Sequence, residues 1–251
     1  MFFPRYFHEY YDSGSGINEQ FDVKSDPIQV PILAYHNFTD NTLTVSDYTM
    51  LFDEFTKQLD WLTQLGYTII TMAQAYEILK TNQNSIGKVA VLTFDDGYTS
   101  WRQVDSILTE RKLSGMFFWA GDNLQANSDI ATQLVADGFE TGNHTAHHKA
   151  MGDGQYWPQW AAWNNNKDAI SNLNTEINFC AYPFGSHNYL SPMVCKNNDY
   201  LACLNFDNKV ATAFSSDFDR FTLGRLEMIS GQHDDSIDTF ANYLQNGDVQ
   251  Y

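Results

Sequence analysis

The chain has 251 residues, of which 43% are hydrophobic and 18% are charged. This composition excludes a disordered chain, and the length suits one large α/β barrel. Acidic residues outnumber basic ones by 31 to 14, which gives a formal net charge of −17. Such a charge repels phosphate backbones and anionic headgroups, so nucleic acid and membrane surfaces are not expected as partners. No apolar run reaches the length of about 18 residues that a membrane helix needs, so no membrane insertion is expected.

The N-terminal part of the chain changes character near residue 30. Residues 1–29 mix aromatic, polar and small residues without a period, and we expect them to form an N-terminal arm. An apolar run at 30–35 predicts a strand, and Ser46 is the expected cap of the helix that follows. Thr71 and Gln74 form a capping box, which predicts that a second helix begins there.

Strand and helix patterns alternate along the rest of the chain. Strands are expected at 89–94, 115–119, 139–143, 179–183, 200–205 and 221–229. Helices are expected at 101–111, 128–136, 158–175 and 236–245. This alternation predicts parallel strand pairing. The expected fold class is therefore α/β, an irregular (β/α) barrel of seven or eight strands within one domain over 30–251, and an open doubly wound sheet is the alternative.

Two adjacent aspartates, Asp95 and Asp96, come directly after a buried strand and precede Gly97. Strand alternation sends the two side chains to opposite sides, but a turn at Gly97 can bring both carboxylates to the mouth of the barrel. There, different neighbours would give them different roles. The same tripeptide also fits a simple turn that caps the next helix.

Three histidines, His144, His147 and His148, follow another short strand. If the chain turns helically there, His144 and His148 share a face and are close enough to bind one metal ion, whereas His147 points elsewhere. A solvated loop is the alternative for this segment alone. Two imidazoles and one carboxylate from the acidic pair form a ligand set for zinc or another divalent ion, with positions left for water and substrate.

Three cysteines, Cys180, Cys195 and Cys203, cannot all pair within one chain. We expect them to be reduced, and a bridge between Cys195 and Cys203 is the alternative. The first residues lack the apolar core of a secretory signal, so the sequence by itself is compatible with a cytoplasmic protein.

Two motifs resemble those of a known family. TFDDG at 93–97 and HTAHH at 144–148 resemble the first and second motifs of the polysaccharide deacetylases of carbohydrate esterase family 4, the NodB-homology domain. AYPFG at 181–185 resembles the third motif. The resemblance covers roughly 30–245 and implies a NodB-like barrel. It departs at Ala181, where many members have an arginine that partners the catalytic aspartate.

The resemblance implies a role for each residue that matches these motifs. Asp96, His144 and His148 would hold a divalent metal ion, with zinc as the expected ion. Asp95 would be the general base that takes a proton from metal-activated water. The backbone N–H of Phe184 would stabilise the oxyanion that forms when the carbonyl is attacked.

Aromatic residues near the expected rim are candidates for substrate binding. The third-motif resemblance implies that Tyr182 and Pro183 line the substrate groove. Tyr98 directly follows the acidic pair and could stack on a sugar face, as could Trp101, Trp157 and neighbouring tryptophans. Exposure decides between this role and a place in the core.

A separate residue must donate a proton to the leaving amine. Most relatives have a Leu-x-His motif on a late strand, but the strand at 221–230 contains no histidine. PILAYH at 31–36 resembles a circularly permuted branch of the family, in which the strand with that histidine comes first, and this implies that His36 is the acid. A structural histidine at the barrel rim is the alternative reading of His36, and His187 and His233 are weaker candidates for the acid.

The permuted branch is similar to deacetylases of poly-β-1,6-N-acetylglucosamine. The resemblance therefore implies a metal-dependent hydrolase that removes N-acetyl groups from an N-acetylglucosamine polymer or oligomer. Such a substrate favours the cell envelope or the extracellular space. A carbohydrate-binding or scaffold protein with a vestigial metal pocket is one alternative, and a hydrolase of the same superfamily acting on a small amide or an O-acetyl ester is another.

Overall fold

The computed structural model describes residues 26–232 and 236–247. Within them the strands are Gln29–Val30 (β1), Ile32–Tyr35 (β2), Asn37–Thr39 (β3), Thr49–Leu51 (β4), Thr68–Ile69 (β5), Val89–Asp96 (β6), Met116–Trp119 (β7), Glu140–Asn143 (β8), Phe179–Ala181 (β9), Ala202–Leu204 (β10), Ala211–Thr212 (β11) and Leu226–Glu227 (β12). The α-helices are Phe52–Gln64 (α1), Met72–Thr81 (α2), Trp101–Arg111 (α3), Gly121–Ala126 (α4), Ser128–Ala136 (α5), Tyr156–Ser171 (α6), Ser191–Asn197 (α7) and Ile237–Asn246 (α8).

Seven parallel strands form one curled sheet in the order β10, β9, β8, β7, β6, β2, β12, and β5 pairs with β6 beside this path. The segment 223–227 brings the two edges together. Leu223 bridges Leu204 in β10, and Leu226 pairs with Leu33 in β2. The predicted irregular α/β barrel is confirmed, and the open doubly wound sheet is not the architecture.

The strands divide their side chains between two layers of the core. Val91 and Phe118 belong to one buried cluster, whereas Leu92 and Phe117 belong to the other. This is the alternation expected of strands that are covered on both faces. All eight residues of β6 are buried, and β6 lies between β7 and β2 in the sheet. A charged group at the end of β6 therefore enters a poorly hydrated environment.

Most predicted elements are present, but two were misplaced. Ser46 does not cap α1, because Thr49–Leu51 pairs with β3 and the helix begins only at Phe52. The strand expected at 221–229 is reduced to β12, because a 3-10 turn occupies Asp219–Phe221. The capping box that begins α2 is confirmed, as are the bounds of α3 and α5. The short helices α4 and α7 were not predicted.

The cysteines differ from the expectation. A disulfide joins Cys180 in β9 to Cys203 in β10, and these two residues are register partners on neighbouring strands. Cys195 in α7 is free and buried, with its Sγ atom 3.6 Å from that of Cys180. The expectation of three reduced cysteines is wrong, and so is the Cys195–Cys203 alternative, because sequence spacing does not reveal which strands become neighbours.

The predicted N-terminal arm lies outside the described residues, apart from its last four. Of those four, Gln29 pairs with Thr212 in β11. None of the helices in the described ranges combines the length and apolar character of a membrane span.

Candidate active site

A cavity of about 370 Å³ opens where several parallel strands end. His36 follows β2, Asp95 and Asp96 end β6, and His144 follows β8. His148 reaches the same cavity from the loop after β8. The structure thus brings five of the predicted site residues together, at the end of the barrel where enzymes of this architecture build their active sites.

A left-handed backbone turns Asp96 into the cavity. Asp96 has a φ of 86°, a conformation that is strained for a residue with a side chain, and Gly97 follows with a φ of 103°. A Cβ atom at Gly97 would lie 2.6 Å from the ring of Trp119, so only glycine fits there. The Asp96 carbonyl accepts a hydrogen bond from the Asn123 side chain at 3.0 Å, which holds the turn.

Asp96, His144 and His148 converge on one point. The Asp96 Oδ1 atom lies 3.2 Å from Nε2 of His144 and 3.0 Å from Nε2 of His148. Asp96 is almost fully buried, and burial alone would raise its pKa, but the two imidazoles outweigh this effect and lower it. Each residue can offer one ligand atom, and the three atoms lie within 4.8 Å of one another.

The hydrogen bonding of His144 makes this arrangement fit a cation. Nδ1 of His144 lies 2.8 Å from the Ala181 carbonyl, which can only accept, so Nδ1 carries the proton of the neutral ring. The lone pair of Nε2 then faces Asp96 Oδ1, and this buried oxygen has no hydrogen bond within the described residues. A divalent ion bound between these atoms would satisfy both of them and His148 together.

The loop that presents the histidines is held by buried side chains and is not helical. Thr145 and His148 both have positive φ values, 64° and 45°. The Asn143 side chain accepts from the Thr145 N–H at 2.8 Å and donates to the Trp163 carbonyl at 2.9 Å. The expected helical turn is therefore wrong, because these hydrogen bonds favour a left-handed loop, although that loop still places the two imidazoles next to each other.

Asp95, by contrast, faces an arginine. Arg225 precedes β12 and donates two hydrogen bonds to Asp95. Its Nη1 donates to Oδ1 at 2.8 Å, and its Nη2 donates to Oδ2 at 2.6 Å. Both side chains are buried. Burial alone would raise the pKa of Asp95, but the guanidinium charge outweighs it and holds the pKa below its ordinary value. Asp95 is therefore a fixed carboxylate beside the cation site.

The sequence did not predict Arg225 as a site residue. Arg225 nevertheless supplies the cationic partner of Asp95 that we expected to be missing, because Ala181 stands where many relatives have an arginine. It reaches Asp95 from the segment before β12, and its Nε also donates to the Asn205 carbonyl at 2.7 Å. The sequence does contain a signal for this contact, because an arginine inside the apolar run FTLGRLEMI needs a buried anionic partner.

His36 borders the cavity beside the two aspartates. Its ring centroid lies 5.0 Å from that of Tyr48 and 5.3 Å from that of Phe206, so the imidazole sits between two aromatic rings. Its buried Nδ1 atom has no hydrogen bond within the described residues. Burial lowers the pKa of His36, while the charges of Asp95 and Asp96 oppose this effect without overcoming it.

The third-motif residues occupy three different environments. Phe184 has a φ of 60°, its side chain is 65% exposed, and its ring lies 4.6 Å from that of His148 at the cavity wall. Tyr182 also borders the cavity, but its hydroxyl group contacts Cys195 at 3.2 Å and points away from the opening. Pro183 is buried and is not part of the cavity wall.

Solvent exposure distinguishes the other aromatic candidates for substrate binding. Tyr98 is half-buried in the cavity wall, and burial together with the neighbouring Asp96 carboxylate raises the pKa of its hydroxyl. Trp101 and Trp163 are fully buried and belong to the core, whereas Trp157 is 71% exposed but does not line the cavity.

The remaining histidines lie away from the cavity or outside the described residues. His147 is exposed and contacts Asp122. Nδ1 of His187 lies 2.9 Å from the Gly185 carbonyl, and the His187 ring stacks on Tyr182. His233 lies outside the described residues.

Comparison with known proteins finds a family model that matches the segment containing the cation site. Residues 82–202 match the family model described as polysaccharide deacetylase. This match spans slightly less than half of the chain and includes both motifs that supply the cation site. His36 and Arg225 lie outside the matched segment.

Individual proteins that are similar to this chain are also named as deacetylases. YxkH of Bacillus subtilis, whose name places it among the polysaccharide deacetylases, is 22% identical over 227 residues, which is 88% of this chain and 77% of that protein. A peptidoglycan-N-acetylglucosamine deacetylase of Bacillus cereus is 38% identical over 65 residues, 24% of this chain and 30% of that protein. The fold is similar to the structure of the Streptococcus pyogenes deacetylase PplD in complex with acetate, with a TM-score of 0.77 and 20% identity over 87% of this chain and 99% of that one.

The two adjacent aspartates give a matched test of the cation site. We expect Asp96→Asn to lose bound zinc, because it removes the carboxylate that both imidazoles face, whereas Asp95→Asn retains it. Metal content after dialysis and zinc affinity by calorimetry measure this difference, with thermal unfolding as a check that both variants fold. Equal zinc affinity of Asp96→Asn and the unchanged chain would contradict the assignment.

Proposed function

We propose that the protein is a metal-dependent hydrolase that removes N-acetyl groups from an N-acetylglucosamine-containing polysaccharide. The observation that carries this proposal is the division of labour between Asp96, which faces two imidazoles, and Asp95, which is held by Arg225. The match of residues 82–202 to the polysaccharide deacetylase family model supports it. A substrate of this kind would place the protein at the cell envelope or outside the cell.

Asp96, His144 and His148 are the residues that would hold the cation. A divalent ion bound there would act as a Lewis acid on the amide carbonyl and lower the pKa of water. Zinc is the expected ion, because two imidazoles and one carboxylate form a donor set typical of catalytic zinc. The Ala181 carbonyl, which accepts from His144 Nδ1, keeps the ring in the tautomer that a ligand needs.

Asp95 is the proposed general base. It lies next to the cation site, with its Oδ2 atom 3.8 Å from His144 Nε2, and it remains ionised because Arg225 lowers its pKa. A carboxylate in this state can accept a proton from the attacking water as the C–O bond forms. Arg225 orients both oxygens, and its charge limits how strongly Asp95 holds that proton.

His36 is the proposed general acid. Cleavage of the C–N bond leaves an amine that must gain a proton, and the imidazole borders the same cavity between Tyr48 and Phe206. Nδ1 has no hydrogen bond within the described residues, so no carboxylate raises the basicity of the ring through this atom. The lowered pKa favours transfer of the proton away from His36.

The cavity wall fits an acetylated amino sugar. Phe184 and Tyr48 expose 65% and 46% of their surfaces, so each can cover an apolar sugar face. The backbone N–H of Phe184, on the turn beside His148, is the proposed donor to the oxyanion. N-acetylglucosamine is the proposed sugar because a relative that is 38% identical over 65 residues is named for it.

Acetate release tests the proposed activity. We expect the zinc-loaded chain to release acetate from defined N-acetylglucosamine oligomers, and Asp95→Asn to lose at least about 100-fold in rate while it retains zinc, because general base catalysis typically contributes that much. Because the substitution leaves Arg225 without its counter-charge, both proteins are assayed below the unfolding temperature of the variant. Normal hydrolysis by Asp95→Asn, or no acetate from any oligomer with the unchanged chain, would contradict the proposal.

The ion pair between Arg225 and Asp95 predicts a shift in the pH profile. Lysine keeps the charge but loses the two-point contact, so in Arg225→Lys the pKa of Asp95 should rise and Asp95 should become protonated at higher pH. We expect the acid limb of kcat/KM to move upward, with little change in zinc affinity. Arg220→Lys is the matched control, because Arg220 lies near the surface and pairs with Asp217. An unchanged acid limb in Arg225→Lys would exclude this role.

The proposed role of His36 as the general acid predicts the alkaline limb of the pH–rate profile. Because burial lowers the pKa of His36, its imidazole loses its proton over a pH range that lies below that of an ordinary histidine. The rate that depends on this proton should fall as the pH rises through that range. We expect His36→Gln to reduce kcat and to flatten the alkaline limb, whereas His147→Gln, an exposed histidine, keeps it. Were both variants to retain the native profile, His36 would not be the acid.

A further inference from the structure

Asn166 in α6 packs against the loop that carries His144 and His148, and it does not line the active-site cavity. Its side chain is almost completely buried, whereas its neighbour Asn165 is exposed. A buried carboxamide destabilises a fold unless its polar atoms form hydrogen bonds. The hydrogen bonds of Asn166 therefore indicate which part of the structure this side chain stabilises.

The two amide hydrogens of Asn166 hold the start of the histidine loop. Nδ2 of Asn166 donates to the Trp119 carbonyl at 2.7 Å and to Asn143 Oδ1 at 2.9 Å. The same two oxygens accept the backbone N–H groups of the loop, from His144 at 3.0 Å and from Thr145 at 2.8 Å. Because a carboxamide nitrogen carries two hydrogens, one asparagine can make both contacts at once.

Gly121, the first residue of α4, provides the space that the Asn166 side chain occupies. A Cβ atom at Gly121 would lie 2.7 Å from Asn166 Oδ1 and 2.8 Å from the Ala146 carbonyl oxygen. The Gly121 N–H donates to the Thr145 carbonyl at 3.0 Å, so α4 and Asn166 both contact the loop. Asn166 Oδ1 has no hydrogen bond within the described residues. The two bonds donated by Nδ2 are therefore the interactions that orient this carboxamide.

We infer that Asn166 is a positioning residue of the cation site, because its carboxamide holds the loop in the conformation that presents His144 and His148 before the ion binds. Thr145 has a φ of 64°, which is unfavourable for a residue with a branched side chain, so tertiary hydrogen bonds must stabilise this loop. The inference rests on the proposed function, since it concerns ligands of the same ion. Asn166 acts through the two histidines and contacts neither the ion nor the substrate.

Replacement of Asn166 tests this role through zinc affinity, measured by calorimetry below the unfolding temperature of each variant. We expect Asn166→Leu, which donates no hydrogen bond, to raise the zinc dissociation constant about tenfold, because loss of a residue that orients metal ligands typically costs that much or more. Asn166→Asp keeps the shape but, when ionised, loses the same two donated bonds, so it should also weaken zinc binding. Asn165→Leu and Asn165→Asp are the matched controls, since Asn165 is the exposed neighbour on the same helix.

Two further measurements separate positioning from a general loss of stability. A purely structural role would lower the unfolding temperature equally with and without zinc, whereas we expect the rise in unfolding temperature on zinc binding to be smaller in the Asn166 variants. Hydrogen exchange on the unchanged, zinc-free chain needs no variant. We expect the backbone amide hydrogens of His144 and Thr145 to be protected there, because both residues are buried and donate to the oxygens that Asn166 contacts.

The possible results separate the role of Asn166 from the chemistry. Native zinc affinity in both Asn166 variants would overturn the inference and leave the proposed activity standing. Weakened zinc binding in these variants, with no acetate release by the unchanged chain, would support the role of Asn166 and contradict the proposed activity. An unchanged chain that binds no zinc would overturn both. If neither Asn166 variant folds, hydrogen exchange decides: protected amide hydrogens at His144 and Thr145 in the zinc-free chain would support the inference, and unprotected ones would overturn it.

Discussion

The neighbours of two adjacent carboxylates determine the chemistry that this site can perform. Asp95 and Asp96 are both buried at the end of one strand, where two negative charges would repel each other strongly. The structure gives the two carboxylates different neighbours. Arg225 holds Asp95 through two hydrogen bonds, and Asp96 faces two imidazoles. One carboxylate is thereby available to accept a proton and the other to bind a cation.

The same interaction connects the site to the closure of the barrel. Arg225 lies in the segment 223–227, which bridges β10 at one end and pairs with β2 at the other. The ion pair between Arg225 and Asp95 therefore joins the buried strand β6 to the place where the sheet edges meet. Removing one partner of a buried pair typically costs about 3–5 kcal/mol, so the catalytic arrangement and the stability of the barrel depend on each other.

The sequence predicted the parts of this arrangement that local pattern controls. Strand and helix alternation predicted the parallel barrel, and the two motifs predicted that Asp96, His144 and His148 would meet. The sequence did not reveal Arg225, whose contact with Asp95 spans 130 positions. The conformation of the loop that carries His144 and His148 was also mispredicted. The hydrogen bonds of Asn143 favour a left-handed turn there, and sequence periodicity does not predict such a turn. Contacts made by tertiary packing are the ones that local pattern could not predict.

X-ray absorption spectroscopy of the zinc-loaded chain identifies the atoms that bind the ion. We expect nitrogen and oxygen neighbours at about 2.0–2.2 Å, including two imidazoles, and the same spectrum when Asp95 is replaced by asparagine. Cys180 and Cys203 are joined in a disulfide, so Cys195 is the free thiol within the described residues. A shell of sulfur neighbours at about 2.3 Å, or loss of an oxygen neighbour in Asp95→Asn, would contradict the separation of the two carboxylates.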